Sequence, residues 1–95
     1  MLSGKQKRYL RGLMTTEQAI FQIGKDALSD TLIEQVDHAL KARELVKIKC
    51  LKTAPEDIQE TAFDLAMNTK SEVVQVIGRT FILYRRSDDP KIILP

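Results

Sequence analysis

The residues best suited to binding chemistry lie in a short stretch around Gly24 and Lys25. The apolar run at residues 20–23 is β-prone and stops at Gly24, a residue suited to a sharp turn. A helix is expected a few residues later. A loop that ends at a helix N-terminus presents unpaired backbone N–H groups and a partial positive charge, to which Lys25 adds a full charge. The stretch therefore suits a phosphate group, and a plain strand-to-helix turn is the alternative.

Basic residues are clustered, although the formal net charge of the 95-residue chain is only +2. Residues 1–16 contain four cations and no acid, and residues 41–52 contain five cations and one acid, Glu44. Acids fill residues 26–37 and 56–64, where no lysine or arginine occurs. This separation predicts one basic face and one acidic face, which indicates a polyanionic partner. The cations of the two basic segments are Lys5, Lys7, Arg8, Arg11, Lys41, Arg43, Lys47, Lys49 and Lys52.

Catalytic chemistry has little support in the sequence. His38 falls on the polar side of a predicted helix with no partner at useful spacing, which is typical of a solvated surface residue. Cys50 alternates with Val46 and Ile48 and is expected to be buried in a strand. No histidine, cysteine and carboxylate grouping has metal-ligand or nucleophile spacing. We therefore expect no catalytic residue, no metal, no cofactor and no small-molecule substrate.

Three helices must position the basic residues. Ser3 and Gln6 form a predicted capping box for the first helix, which has a core stripe of Leu10, Leu13 and Met14 with Tyr9 beside it. The second helix is predicted from about Ser29 to Ala42, capped by Ser29 or by a Thr31–Glu34 box. The third begins with a Thr53–Glu56 box around Pro55. The expected core residues of the last two helices are Leu32, Ile33, Val36, Ala39, Leu40, Ile58, Ala62, Phe63, Leu65 and Ala66.

Four strands complete the predicted fold, and the second has a basic face formed by Lys47 and Lys49. Gly78 and Arg79 form a turn between the last two strands, which pair antiparallel. The order is a helix followed by β-α-β-α-β-β. Right-handed crossovers place the two crossover helices on one face of a four-stranded mixed sheet, which gives a two-layer α+β domain. The first helix covers the sheet or one of its edges, and residues 92–94 dock on the body or add an edge strand.

Length and composition predict one domain over residues 1–95, with residues 87–95 as a C-terminal tail. No apolar run is long enough to span a bilayer, so no membrane partner is expected. The N-terminal residues carry no signal-peptide hydrophobic segment, and a single cysteine fits a reducing compartment. We therefore expect a cytoplasmic protein, and a monomer.

Four motifs in order resemble the YhbY family of bacterial proteins, also called the CRM (chloroplast RNA splicing and ribosome maturation) domain. They are residues 2–11, the loop Ile23-Gly24-Lys25, the strand at 43–49, and the hairpin at 74–85. The resemblance covers nearly the whole chain. It implies a fold similar to the C-terminal domain of translation initiation factor three, and RNA binding associated with ribosome biogenesis.

The resemblance also implies a role for the glycine loop, which is usually G-x-x-G in this family and similar in use to the backbone-holding loop of KH domains. Here it reads Gly24-Lys25-Asp26-Ala27. If the fourth position has positive φ, Ala27 strains the backbone by roughly 1 kcal/mol. The family association predicts binding to large-subunit ribosomal RNA. The expected RNA-binding residues are Lys5, Lys7, Arg8, Arg11, Gly24, Lys25, Lys47, Lys49, Arg79, Arg85 and Arg86.

A second hypothesis is a protein-interaction or small-ligand module that docks through its acidic helices. In that case, the basic side serves solubility, and a basic protein is the expected partner. Binding that survives complete nuclease digestion would favour this hypothesis over RNA binding.

Overall fold

The protein forms one four-stranded sheet flanked by three helices, as described for residues 1–54 and 57–95 in a computed structural model. The strand order is β1-β2-β4-β3. β1 pairs parallel with β2, whereas β4 pairs antiparallel with both β2 and β3. The predicted α+β fold with a mixed four-stranded sheet is confirmed. In chain order the elements are α1 (Gly4–Met14), β1 (Phe21–Ile23), α2 (Asp30–Arg43), β2 (Leu45–Cys50), α3 (Ile58–Thr69), β3 (Glu72–Ile77) and β4 (Thr80–Tyr84).

The inner face of the sheet carries the main core and is covered by α2 and α3, as the crossover argument predicted. Val46, Ile48 and Cys50 of β2 point into it and are no more than 1% exposed. Burial raises the pKa of the Cys50 thiol, so this cysteine stays protonated at neutral pH. The strand alternation of β2 therefore leaves Lys47 and Lys49 on the other face, as predicted.

The outer face of the sheet is covered by α1 and by the C-terminal tail. Leu10 and Met14 of α1 pack against a second buried cluster contributed by the outer-facing residues of three strands, with Ile92 and Leu94 of the tail against it. The sequence predicted that the first helix covers either the sheet or one of its edges, and α1 lies on the outer face of the sheet. No helix in the described part of the chain has the length and hydrophobicity to cross a membrane. The strand residues of this outer cluster are Leu45, Val74, Ile82 and Tyr84.

The predicted helix starts are correct for α1 and partly wrong for α2. Ser3 Oγ accepts a hydrogen bond from the Gln6 backbone N–H, and the Gln6 side-chain oxygen accepts one from the Ser3 backbone N–H. This capping box is therefore confirmed. For α2 the cap is Ser29, which accepts from the Leu32 N–H at 3.1 Å. Thr31 lies inside that helix, so the Thr31 box is not formed. The box predicted from Thr53 to Glu56 includes Glu56, which lies outside the described residues, and the N-cap of α3 is Asp57 rather than Thr53.

Three side chains predicted to pack in the core are exposed instead. Phe63 of α3 is 53% exposed, and Tyr9 and Leu13 of α1 are 43% and 42% exposed. The buried side of α3 is formed by Thr61, Ala62, Leu65, Ala66 and Thr69. Phe63 follows Ala62 by one residue, about 100° around the helix, and so points to solvent.

The C-terminal tail is held by a buried carboxylate. Glu44 has positive φ (66°) at the end of α2 and is fully buried. It accepts backbone N–H bonds from Ser87 at 3.1 Å, Lys91 at 2.6 Å and Ile92 at 2.9 Å. Burial acts to raise the pKa of Glu44, but these bonds, with Arg86 nearby, hold it below its ordinary value. The tail thus docks on the body rather than adding an edge strand.

Candidate nucleic-acid interface

The outer face of the sheet presents two rows of side chains next to and partly beneath α1. Paired residues of neighbouring strands share a face, so Lys49, Thr80 and Ile77 form one row. Lys47, Ile82 and Gln75 form the next row. Both lysines predicted to bind RNA therefore project from the same face, with Lys49 exposed and Lys47 partly covered.

A β-bulge between Val73 and Gln75 decides which residues of β3 reach this face. Val74 packs in the outer cluster, and Gln75 lies opposite Ile82 on the same face. The bulge inserts one residue and reverses the alternation after it, so Ile77 points outward and is 62% exposed. Sequence alternation alone gives no signal for this reversal.

The basic residues Arg8 and Arg11 of α1 line a groove between that helix and the outer face. Its volume is about 530 Å³, and Lys47 of β2 also lines it. Lys5, Arg8 and Arg11 follow one another at three-residue spacing, which places them along one side of α1. Lys5, Arg8 and Arg11 are exposed, and Lys7 is partly covered. The structure thus brings predicted residues from the N-terminal helix and the central strand together.

Lys47 is held by the backbone rather than free. Its ammonium group donates to the carbonyl oxygen of Glu17 at 2.9 Å and to that of Met14 at 3.3 Å. These two carbonyls belong to the last turn of α1 and the chain that follows it. Lys47 therefore anchors the end of α1 to the sheet while its positive charge remains in the groove.

The glycine loop and the Arg79 turn lie at the same end of the strands. The Leu51 N–H donates to the Ile23 carbonyl at 2.8 Å, immediately before Gly24. The Cys50 N–H donates to the Arg79 carbonyl at 2.7 Å, and the Arg79 guanidinium donates back to the Cys50 carbonyl at 2.9 Å. A second guanidinium bond reaches the Leu51 carbonyl. Arg79 is therefore oriented beside the end of β2, which is itself hydrogen-bonded through Leu51 to the end of β1 from which the glycine loop departs.

In the loop, the residue with the left-handed backbone conformation that favours glycine is Ala27 rather than Gly24. Ala27 has φ of 52° and donates its N–H to the Gly24 carbonyl at 3.0 Å. At Gly24 an added Cβ would meet Thr53 Oγ1 at 3.6 Å, an ordinary contact. The conditional prediction about the fourth loop position is met, because Ala27 is in the left-handed region that favours glycine. Lys25 is exposed at the tip of this loop.

Arg85 and Arg86 lie at the opposite end of the strands. Arg85 donates to an Asp37 carboxylate oxygen at 2.7 Å and to the Thr69 carbonyl at 2.6 Å. This bond and the charge of Arg85 hold the pKa of Asp37 below its ordinary value. Arg86 borders the same cleft, in which acids and bases are mixed. Arg85 thus joins α2, α3 and β4, and neither arginine adjoins the groove.

Ion pairs to carboxylates also distinguish Arg85 from the other predicted RNA-binding cations. Over residues 1–54 and 57–95, a carboxylate lies within 4 Å of only two basic side chains, Arg85 and Lys41, and the carboxylate is Asp37 in both cases. The cations of α1, the outer face and the glycine loop are thus uncompensated. The acidic side chains of α2 and α3 lie on the other side of the sheet and are exposed. They include Asp30, Glu34, Asp57, Glu60 and Asp64.

Two features of this surface were not predicted from sequence. One is the platform formed by Gln75, Ile77 and Thr80, which depends on the bulge. The other is the anchoring role of Lys47, which depends on where α1 ends. The alternation of lysines with apolar residues in β2 did indicate the face on which Lys47 and Lys49 lie. The position of α1 over that face was only one of two predicted alternatives.

Comparison with known proteins finds a matching family and similar chains that are named as RNA-binding. The family described as the CRS1 / YhbY (CRM) domain matches residues 2–85. The "Probable RNA-binding protein YqeI" of Bacillus subtilis is 43% identical over 91 residues, which is 96% of this chain and 95% of that protein. An "RNA-binding protein" of Haemophilus influenzae is 34% identical over 94 residues, 99% of this chain and 95% of that protein.

A solved structure shares the fold over the full length of both chains. The solution structure of SAV1595 from Staphylococcus aureus, described as a candidate RNA-binding protein, superimposes with a TM-score of 0.84 at 46% identity. The arrangement of three helices around the four-stranded sheet is therefore common to both proteins.

Proposed function

The chain belongs to the CRS1 / YhbY (CRM) domain family, and from that premise we propose that it is a non-catalytic RNA-binding protein that binds ribosomal RNA during assembly of the large ribosomal subunit. It acts as a cytoplasmic monomer, with residues 1–95 as one domain. The support for RNA as the partner is twofold. Similar proteins of nearly the same length are named as RNA-binding, and the cations of the outer face have no acidic partners among the described residues.

The single observation that carries the proposal is the uncompensated basic path across the outer face. It begins at Arg8 and Arg11 on α1, passes Lys49 on β2, and ends at Arg79 and Lys25 beside the glycine loop. Phosphates are strong acceptors for such cations, and release of their counterions favours binding. Recognition through phosphates and the shape of folded RNA suits a surface with no tryptophan.

The glycine loop contributes less to this path than a loop with two glycines would. The Ala27 methyl group occupies the position where a phosphate could approach the backbone of the loop, and Asp26 adds a negative charge beside it. The main affinity is assigned to α1, Lys49 and Arg79, with Lys25 as a peripheral contact.

A second candidate function rests on the acidic side. Phe63 and Met67 are 53% and 68% exposed, four residues apart on α3, with Glu60 and Asp64 beside them. An apolar pair framed by carboxylates fits a basic protein surface. This side is a candidate for docking a basic protein, in place of RNA binding by the outer face.

Sedimentation of cell extract on a gradient separates the two functions. Under the RNA proposal the protein travels with immature large subunits and is released by nuclease. The Arg8→Glu/Arg11→Glu variant then stays at the top of the gradient, whereas Phe63→Ser/Met67→Ser sediments like wild type. Retention on protein after complete nuclease digestion, or loss only in the Phe63→Ser/Met67→Ser variant, would contradict the RNA proposal and support the docking function.

A further inference from the structure

The groove between α1 and the outer face has the dimensions of a ligand site. Its volume of about 530 Å³ falls within the range of small-molecule pockets, about 300–1,000 Å³. α1 forms one wall and the strands form the floor. Arg8, Arg11 and Thr15 line the groove on the helix side.

The floor of the groove is apolar at its centre and polar at its margins. Ile77 provides the apolar surface because it is 62% exposed although it is a large aliphatic strand residue, whereas Ile82 beside it is only 5% exposed and packs under α1. Gln75 and Thr80 flank them in the neighbouring register positions. Within the described residues, the side chains of Gln75 and Thr80 make no hydrogen bond, so their donors and acceptors are free for a ligand.

The walls of the groove are cationic. Arg8 and Arg11 lie one helical turn apart on α1, and neither has a carboxylate within 4 Å in the two described segments. Lys47 contributes a third positive charge, although its hydrogen bonds go to backbone carbonyls. An exposed apolar side chain with free amide and hydroxyl groups beside it, bordered by two guanidinium groups, matches one nucleotide: a base with polar edges and a charged phosphate.

We propose that this groove binds a single unpaired nucleotide of the RNA, with its base on Ile77, its polar edge towards Gln75 or Thr80, and its phosphate held by Arg8 and Arg11. The inference rests on the proposed RNA-binding function and adds the class of RNA. Bases in an RNA duplex are stacked and paired, so none can lie flat on this floor. The protein therefore prefers RNA with a bulge or a single-stranded loop over a continuous duplex.

The test compares two RNA hairpins of equal length and charge, one with a single bulged adenosine and one fully paired. Wild type binds the bulged hairpin about tenfold more tightly, towards the low end of what stacking one base on an aromatic side chain contributes, because Ile77 is aliphatic. Ile77→Ser removes the apolar surface on which the base lies and lowers this preference to about twofold or less. Ile93→Ser removes another exposed isoleucine, which lies in the C-terminal tail and does not line the groove, and keeps the preference.

Direct contact is measured by the NMR signals of the Gln75 side-chain amide, which shift with the bulged hairpin and not with the paired one. Equal wild-type affinity for the two hairpins, or an unchanged preference in folded Ile77→Ser, overturns the groove proposal while leaving RNA binding intact. Absence of binding to either hairpin and to ribosomal RNA contradicts the proposed function itself.

Discussion

The ammonium group of Lys47 lies 2.9 Å from the backbone carbonyl oxygen of Glu17. This bond joins the central strand of the sheet to the chain that leaves α1. It shows that a lysine on the basic face of a strand has a structural role as well as an electrostatic one. Its neighbour on the same face, Lys49, is exposed and makes no such bond within the described residues. The two lysines therefore form a matched pair for separating stability from RNA binding.

The first prediction concerns this pair. Lys47→Glu removes two hydrogen bonds to carbonyls and places a carboxylate beside them, so the free energy of unfolding falls by about 1–3 kcal/mol. Lys49→Glu changes it by no more than about 0.5 kcal/mol, because the residue is at the surface. Urea denaturation measures both. Equal stabilities of the two variants would show that Lys47 does not anchor α1.

The second prediction concerns the glycine loop. Ala27 has positive φ, so Ala27→Gly relieves about 1–2 kcal/mol of backbone strain. The greater freedom of glycine in the unfolded chain offsets part of this gain, leaving a net stabilisation of about 0.5–1 kcal/mol. Gly78→Ala, at φ of 57°, changes stability in the opposite direction. If Ala27→Gly is less stable than wild type, the loop does not hold this conformation in solution.

The third prediction concerns pH. The pKa of Glu44 is lowered in the folded protein by its three N–H donors. Stability from this group is therefore complete above the ordinary glutamate value of 4.5 and is lost as the pH falls through the lower folded value. Urea midpoints between about pH 3 and 7 measure this. Glu44→Gln is less stable at pH 7 and has a flatter profile, with a remaining slope from Asp37. A Glu44→Gln profile parallel to wild type would contradict the tail anchor.

The fourth prediction separates Arg85 from the basic path. Arg85→Met breaks the ion pair with Asp37 and the bond to the Thr69 carbonyl, so the free energy of unfolding falls by about 1.5–3 kcal/mol. Because Arg85 lies away from the groove, the variant binds RNA with near wild-type affinity under conditions that keep it folded, which are low urea concentration and low temperature. Anisotropy titration measures this, with Arg11→Met as the control that loses affinity and keeps stability. A large loss of RNA affinity in folded Arg85→Met would extend the interface to that end.

Much of the fold follows from the sequence because its signals are local. Strand alternation in β2 places Val46, Ile48 and Cys50 inward, and capping residues such as Ser3 mark helix starts. The predictions fail where tertiary packing decides. Phe63 lies outside the core because the way α3 packs on the sheet decides which of its sides is buried, and Ile77 points outward because a bulge reverses the alternation of β3. The candidate site shows both cases. Its clustered cations are visible in the sequence, whereas the ion pair that holds Arg85 depends on tertiary packing.

The salt dependence of binding to a folded ribosomal RNA fragment tests the account most directly. If about five phosphates are neutralised, log K falls against log salt with a slope of roughly −3.5 to −4.5. Arg8→Ala/Arg11→Ala makes this slope shallower by about 1.4–1.8, for two lost phosphate contacts. Lys41→Ala/Lys91→Ala removes the same charge from the opposite end and leaves the slope unchanged. A wild-type slope near zero, or equal slopes for the two double variants, would contradict an RNA interface on the outer face.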